Sequence, residues 1–123
     1  MTKAGALQSF MESFGIPAYA EGSVPKDAEF PWITYDPVFD SWGGGEVGVT
    51  VNLWYYTESE KAPNDMAAKI SEAVGLGGVT LPCDGGFIWI KRGSPFSQSI
   101  HDPTEPQLKR KYINLTVEYL TFN

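Results

Sequence analysis

The sequence has very few of the residues on which metal and thiol chemistry depend. It contains one cysteine, Cys83, and one histidine, His101, among 123 residues. A single cysteine cannot form an internal disulfide, which favours a reducing compartment, and a lone cysteine is usually a small buried apolar side chain rather than a nucleophile. One histidine and one cysteine do not supply the usual zinc ligand sets. The sequence therefore predicts no metal site and no cofactor.

Long apolar runs are also missing. The N-terminal stretch MTKAGALQSFMESFGIP is too short in apolar residues for a signal peptide or a membrane span, so we expect no membrane association. The hydrophobic share of 42% and the charged share of 20% are ordinary for a globular protein and argue against disorder. The length predicts a single domain over residues 1–123.

Basic residues are scarce in the first half of the chain. Residues 1–60 hold nine acidic residues against Lys3 and Lys26, whereas residues 61–123 hold six acidic and seven basic residues, for a net charge of −6. An acidic domain is not expected to grip DNA, because phosphate binding needs basic clusters. Asymmetric charge suits head-to-tail association of copies, in which unlike surfaces meet.

Apolar residues recur at helical spacing in two stretches, 3–14 and 64–74. They are Leu7, Phe10, Met11 and Phe14 in the first stretch, and Met66, Ile70, Ala73 and Val74 in the second. Gly15 and Gly75 follow the two stretches in the position of a C-terminal cap. Both stretches are therefore predicted to be helices.

Four stretches rich in aromatic and β-branched residues predict strands at 30–36, 46–57, 87–93 and 111–121. The second would span about 40 Å at ~3.3 Å per residue, about twice the usual strand. The element order predicts an α+β fold, a mainly antiparallel four-stranded sheet with two helices packed on one face.

The segments between these elements are predicted to be irregular. Residues 17–29 are predicted to be a loop, 40–48 a flexible connection and 94–107 a polar, proline-rich excursion, while 79–82 read as a short extended piece.

No stretch predicts catalysis. His101 and Asp102 are adjacent in a proline-rich loop, but a base oriented by a carboxylate needs a geometry that sequence neighbours rarely supply. The glycines at 43–45 precede a strand and lack a P-loop lysine, so they predict a hinge rather than a phosphate cradle. A weak divalent-cation site around that loop is conceivable, although scattered solvated carboxylates are more common. Its carboxylates would be Asp36, Asp40 and Glu46. We therefore expect no enzyme and no catalytic residue.

Candidate interface residues come from two other features. The basic clusters are Lys91 and Arg92 together with Lys109, Arg110 and Lys111. They are either solvated strand ends or a patch that meets the acidic half of a neighbouring copy. Trp42 lies beside three glycines in a polar segment, so it is expected to be exposed and to dock on a partner. Pro95 and Phe96, in the 94–107 excursion, complete the candidate interface.

Several stretches, taken in order, resemble the tail terminator (tail-completion) proteins of long-tailed bacteriophages. A short N-terminal helix leads to FPWITYD, a long strand ending NLWYYTES, a helix containing AAKISEAV, then DGGFIWIKRGSPFSQ and KRKYINLTVEYLT. The resemblance covers nearly the whole chain and rests on layout and size rather than on one diagnostic motif. The glycines at 43–45 have no counterpart in it.

The resemblance implies a compact subunit that assembles as a ring, typically a hexamer. The ring caps the tail tube, ends its polymerisation and joins the tail to the head connector. Its partners would be other copies of the chain, the major tail tube protein and the head-completion (connector) protein, while DNA passes through the lumen without specific binding. The implied location is the head–tail junction of the virion, and the host cytoplasm during assembly.

Other functions remain open from the sequence. A stopper or adaptor of the phage neck is also a small ring subunit. A small-molecule-binding or enzymatic α+β module would need convergent titratable residues, which the sequence does not show. A small acidic inhibitor that binds a host protein is a third possibility.

Overall fold

The computed structural model describes all residues, 1–123, as two helices and six strands. The elements are α1 (Lys3–Glu12), β1 (Ala18–Ala20), β2 (Trp32–Tyr35), β3 (Glu46–Tyr56), α2 (Lys61–Val74), β4 (Val79–Cys83), β5 (Gly86–His101) and β6 (Leu108–Thr121). The Thr2 hydroxyl caps α1 by accepting a hydrogen bond from the Gly5 N–H at 3.0 Å. Both predicted helices are confirmed within a few residues.

The strands form one mixed sheet in the order β1-β2-β3-β6-β5-β4. β1 runs parallel to β2, and the other neighbours are antiparallel. The broad α+β class holds, but the predicted four-stranded, mainly antiparallel sheet is wrong. The two additional strands, β1 and β4, have three and five residues. Such short strands carry little side-chain pattern and are defined by their backbone pairing with β2 and β5.

The sheet curls into a half-barrel. α1 packs against β1 and β4, which are the two edge strands. In a flat sheet of six strands the two edge strands would lie roughly 24 Å apart, at five strand spacings. The ten-residue helix α1 is only about 15 Å long and yet contacts both edges. The edges therefore approach each other around α1. α2 packs against β3, β5 and β6, and the buried residues of both helices, apart from Pro63, belong to one core.

Side-chain alternation in the long strands creates that core. The register places Val51 opposite Ile113 and Val49 opposite Leu115, and all four are fully or almost fully buried. The intervening residues lie on the convex face, which no helix covers, and they range from buried Asn52 through half-buried Trp54 to exposed Tyr56. Burial of alternate apolar side chains by two helices thus leaves a second sheet face open to solvent.

β5 is much longer than predicted, because a bulge carries it past residue 93. The register shifts between Arg92 and Ser97, so that residues 93–96 lie opposite Asn114 alone. Pro95 has no N–H and is tolerated in this unpaired position, and the Asn114 side chain donates to its carbonyl oxygen at 2.8 Å. The predicted excursion over 94–107 is therefore wrong for 94–101, which are strand, and only 102–107 form the turn into β6.

Candidate protein interface

The charge asymmetry of the sequence becomes a lateral asymmetry of the sheet. Residues 1–60 form α1 and β1–β3, and residues 61–123 form α2 and β4–β6. Because β3 and β6 are neighbours in the middle of the sheet, the strands of each half of the chain occupy one side, while α1 contacts both edge strands. The β1–β3 side has nine acidic and two basic residues, and the β4–β6 side has six and seven. We call them the acidic half and the near-neutral half.

An exposed aromatic patch lies at the end of the sheet where β3 begins. Trp42 is 63% exposed and stacks on Phe122, with ring centroids 6.0 Å apart and planes 6° from parallel. The backbone N–H of Trp42 donates to the Thr121 carbonyl oxygen at 2.8 Å, so this loop residue is held at the end of β6. Phe39, 44% exposed, belongs to the same loop. We call Trp42, Phe122 and Phe39 the Trp42 patch. Trp42 is exposed as expected, and its docking role stays a prediction.

A second aromatic patch lies at the opposite end, where β3 ends, and the sequence interpretation missed it. Phe30 stacks on Trp32 at 4.3 Å between ring centroids and lies 5.8 Å from the ring of Tyr56. Phe30 and Tyr56 are 42% and 50% exposed. We call these three residues the Phe30 patch. The eleven residues of β3 place the two patches about 33 Å apart. The adjacent aromatic residues at the ends of two predicted strands were the available signal.

Pro95 and Phe96 lie in the bulge of β5 rather than in a loop. Pro95 is exposed, whereas Phe96 is half-buried and packs against the core. Phe96 lines a shallow depression of about 280 Å³ beside Ala67 and Ala68 of α2. Only the proline ring of this predicted pair is fully available to a partner.

The five predicted basic residues do not form a single patch. Alternation along β6 places Lys109 and Lys111 on the concave side and Arg110 on the convex face. Arg110 lies over the ring of Trp54, 5.1 Å from its centroid, and its Nε donates to the Asn52 side chain at 2.8 Å. Lys109 donates to the Pro106 carbonyl oxygen in the turn that precedes β6. Both cations make contacts within the chain, and both remain partly exposed.

Lys91 neutralises a repulsive cross-strand pair. Glu46 of β3 lies directly opposite Glu118 of β6, an arrangement that destabilises a sheet. The Lys91 ammonium lies 2.5 Å from the Glu46 carboxylate and 3.8 Å from that of Glu118. It also lies 4.0 Å from the centroid of the Trp89 ring. Lys91 is thus committed to the β3–β6–β5 junction on the convex face.

Arg92 and Lys111 have structural contacts of their own. Arg92 donates to the Gly75 carbonyl oxygen at 3.2 Å and to the Ser71 hydroxyl at 2.9 Å, which satisfies the C-terminus of α2. Lys111 is only 5% exposed and donates to the Ser99 hydroxyl at 2.5 Å. The Glu60 carboxylate lies 3.5 Å from its ammonium. A partner therefore cannot reach Lys111 in the folded subunit.

His101 and Asp102, which the sequence singles out, share a surface depression but are not joined by a hydrogen bond. His101 ends β5 and lines a convex-face depression of about 350 Å³ with Asp102 and Arg110. The Asp102 carboxylate accepts hydrogen bonds from the hydroxyl and the N–H of Thr104, which lower its pKa. It is thereby engaged in the turn. Burial raises the pKa of the Cys83 thiol, so a smaller fraction of it is thiolate near neutral pH.

The carboxylates around the glycine loop make separate contacts. Asp36 accepts from the Thr50 hydroxyl, Asp40 accepts from the Ser41 N–H at 2.8 Å, and Glu46 pairs with Lys91. No group of three or more His, Cys, Asp or Glu side chains is placed to hold a metal ion.

Neither helix has the length and apolar character needed to cross a membrane. No family model, curated protein or solved structure matches this chain.

Proposed function

We propose that this chain is a structural subunit of a long-tailed bacteriophage that forms a ring, caps the tail tube, ends its polymerisation and joins the tail to the head connector. The proposal rests on the resemblance of the sequence to tail terminator proteins and on one structural observation, the division of the sheet into an acidic half and a near-neutral half.

The lateral charge division supports a ring of copies arranged side by side. In a head-to-tail contact the β1–β3 side of one copy, which has nine acidic residues and two basic ones, meets the β4–β6 side of the next, which has six acidic residues and seven basic ones. Contacts between unlike surfaces close into a ring when the rotation between copies is a whole fraction of a turn. Charge complementarity also favours the correct register over the reversed one.

The two aromatic patches support unlike partners above and below the ring. The Trp42 patch and the Phe30 patch lie at opposite ends of β3, which are the ends a lateral contact leaves free. Exposed aromatic side chains are frequent anchors of protein interfaces. One patch would contact the tail tube and the other the head connector. The mechanism is steric, since the ring occupies the growing end of the tube, and it requires no catalytic residue.

Deleting the gene from the phage genome that encodes it and examining the particles by electron microscopy tests the proposal. Over-long tails indicate termination of the tube, and tails of normal length without heads indicate a joining role alone, as for a stopper or adaptor. Intact infectious virions would rule out the proposal and favour a non-structural function such as a host-directed inhibitor.

A further inference from the structure

The far half of β5 has no neighbouring strand on one side. β4 pairs only with residues 86–90 of β5, whereas β5 continues to His101. Beyond the bulge, β5 pairs with β6 over residues 97–101, and no strand lies on its other side. Ser97, Gln98 and His101 are exposed.

The hydrogen-bond pattern identifies the backbone groups that are free. The Thr57 N–H donates to the Gln107 carbonyl oxygen at 2.8 Å, so odd-numbered residues of β6 direct their backbone groups to β3 and even-numbered ones to β5. Tyr112 and Arg110 of β6 lie opposite Gln98 and Ile100. Gln98 and Ile100 therefore direct their backbone groups to β6, and the residues of β5 between and beside them point their N–H and C=O groups away from β6. These residues, Ser97, Ser99 and His101, form what we call the open edge.

The other strand edges are protected. The carbonyl groups of β1 that point away from β2 already accept hydrogen bonds, Ala18 from the Gln8 side chain at 2.8 Å and Ala20 from the Ser23 N–H at 2.9 Å. On β4 one of the two outward residues is Pro82, which has no N–H. The start of β3 carries the charge of Glu46. The open edge has neither proline nor lysine, and the segment is Ser-Gln-Ser-Ile-His.

We propose that the open edge pairs with the open edge of a second copy of this chain, antiparallel and about a two-fold axis at Ser99. In this register Ser99 lies opposite Ser99 of the second copy, and Ser97 lies opposite its His101. All three outward residues then fall in the pair type that exchanges two backbone hydrogen bonds. Because the same surface is used on both copies, the contact closes as a dimer and cannot propagate.

The side chains around the open edge permit this contact. Gln98 and Ile100 of the two copies lie opposite each other on the convex face, and no like charges are opposed. The contact joins two near-neutral halves, so net charge does not oppose it. Small residues of α2, Ala67 and Ala68, leave the depression of about 280 Å³ beside Ser97 that a second copy can enter.

The pair has a consequence for assembly that rests on the proposed function. A ring built from lateral contacts uses the β4–β6 side of every copy, and the open edge is on that side. A paired copy therefore cannot enter a ring until the pair separates. Pairing would hold free subunits back from forming rings away from a tail.

Substitution at Ser97 tests the pairing in the purified protein. Ser97→Pro removes one outward N–H from each copy without removing a bond to β6, and Ser97→Ala keeps the N–H and serves as the matched control. Light scattering should show a dimer of the 13.5 kDa chain for the wild type and for Ser97→Ala. Ser97→Pro should weaken the dimer on the order of tenfold or more, since two backbone hydrogen bonds are lost per dimer.

Cross-linking tests the register and does not depend on Ser97→Pro folding. In a Cys83→Ala background, Ser99→Cys places two cysteines opposite each other, with Cα atoms about 5.5 Å apart, within disulfide reach. Ser97→Cys places the equivalent atoms roughly 14 Å apart, beyond that reach. Mild oxidation should link Ser99→Cys and leave Ser97→Cys unlinked.

A wild type that stays monomeric at the highest soluble concentration would overturn the proposal. So would a dimer in which Ser97→Cys links as readily as Ser99→Cys. Both measurements use purified protein alone, whereas the proposed function is tested by the tails of phage particles. The pairing proposal and the proposed function can therefore fail independently of each other.

Discussion

The Tyr119 hydroxyl donates a hydrogen bond to the Val38 carbonyl oxygen at 2.5 Å, joining the last strand to the loop that carries Trp42. Tyr119 is 1% exposed, and its burial, with smaller contributions from Cys83 and Asp40, raises its pKa to about 12. The same loop is held by Lys3, whose ammonium donates to the Asp40 carbonyl oxygen at 3.0 Å. The Trp42 patch is thus anchored to the core although its rings are exposed.

The raised pKa of Tyr119 predicts a loss of stability in alkali. The phenol ionises near 10 in the unfolded chain and only near 12 in the folded one, so its contribution is complete below pH 10 and is lost as the pH rises to 12. Tyr119→Phe should unfold more easily at pH 7 by about 1 kcal/mol, because the hydrogen bond is lost. Urea unfolding at pH 7, 10 and 11 should show a shallower alkaline decline for the variant. If the stability of the wild type and of Tyr119→Phe falls equally with rising pH, the alkaline loss of stability does not come from ionisation of Tyr119.

Lys111 is predicted to stabilise the fold rather than to bind a partner. Lys111→Glu would bury a carboxylate beside Glu60, and we expect it to lower the free energy of unfolding by about 3 kcal/mol or more. Lys109→Glu, two residues away on the same strand and more exposed, is the control and should change stability by about 1 kcal/mol or less. Equal effects of the two variants in urea unfolding would show that Lys111 is not held in a buried ion pair.

Long patterned segments were predictable, and short or interrupted ones were not. The spacing of apolar residues found both helices, and alternation found β3 and most of β6, because these elements bury one face against the core. β1 has three residues and no alternation to detect. In β5 the bulge at 93–96 breaks the alternation, so the second half of the strand reads as a polar, proline-containing loop.

In the candidate interface, too, some features were predictable from the sequence and others were not. Exposure of Trp42 follows from its polar, glycine-rich surroundings, which cannot bury an indole. The basic run at 109–111 looked like one patch because the predicted strand began only at 111. β6 begins at Leu108, and strand alternation then sends Arg110 to the opposite face from Lys109 and Lys111. Phe30 and Tyr56 became neighbours only through the pairing of β2 with β3, which is a long-range contact.

The Trp42 patch is predicted to serve assembly rather than folding. Trp42→Ala with Phe122→Ala should change stability by no more than about 1 kcal/mol, because both rings are largely exposed. Under the proposed function the double variant should fail to complement a gene deletion, leaving over-long or headless tails in electron micrographs. Leu76→Ala, at a residue 99% exposed elsewhere, is the matched control and should complement fully. Full complementation by the double variant would show that the Trp42 patch is not part of an interface needed for assembly.

Lys109 and Arg110 remain partly exposed on β6, whereas Lys111 is buried. Lys109 and Arg110 lie on the near-neutral half, and the proposed lateral contact brings that side against the acidic half of the next copy. Reversing both charges should therefore impair tail capping. Each exposed pair contributes on the order of 1 kcal/mol or less, so both residues must be changed together. Lys109→Glu with Arg110→Glu should remain folded and complement poorly.

A control variant is needed to distinguish the effect of the changed net charge from the effect of where the charges lie. Lys26→Glu with Lys61→Glu makes the same change in net charge at exposed residues that lie outside the strands of the lateral contact, one in a loop of the acidic half and one at the start of α2, and it should complement well. Raised salt during assembly in vitro should reproduce part of the defect in the wild type, since screening weakens attraction between exposed charges. If both double variants complement equally, attraction across the lateral contact does not drive ring formation. If the wild type binds DNA in a salt-sensitive way that Lys109→Glu with Arg110→Glu abolishes, these residues face nucleic acid instead of a neighbouring copy.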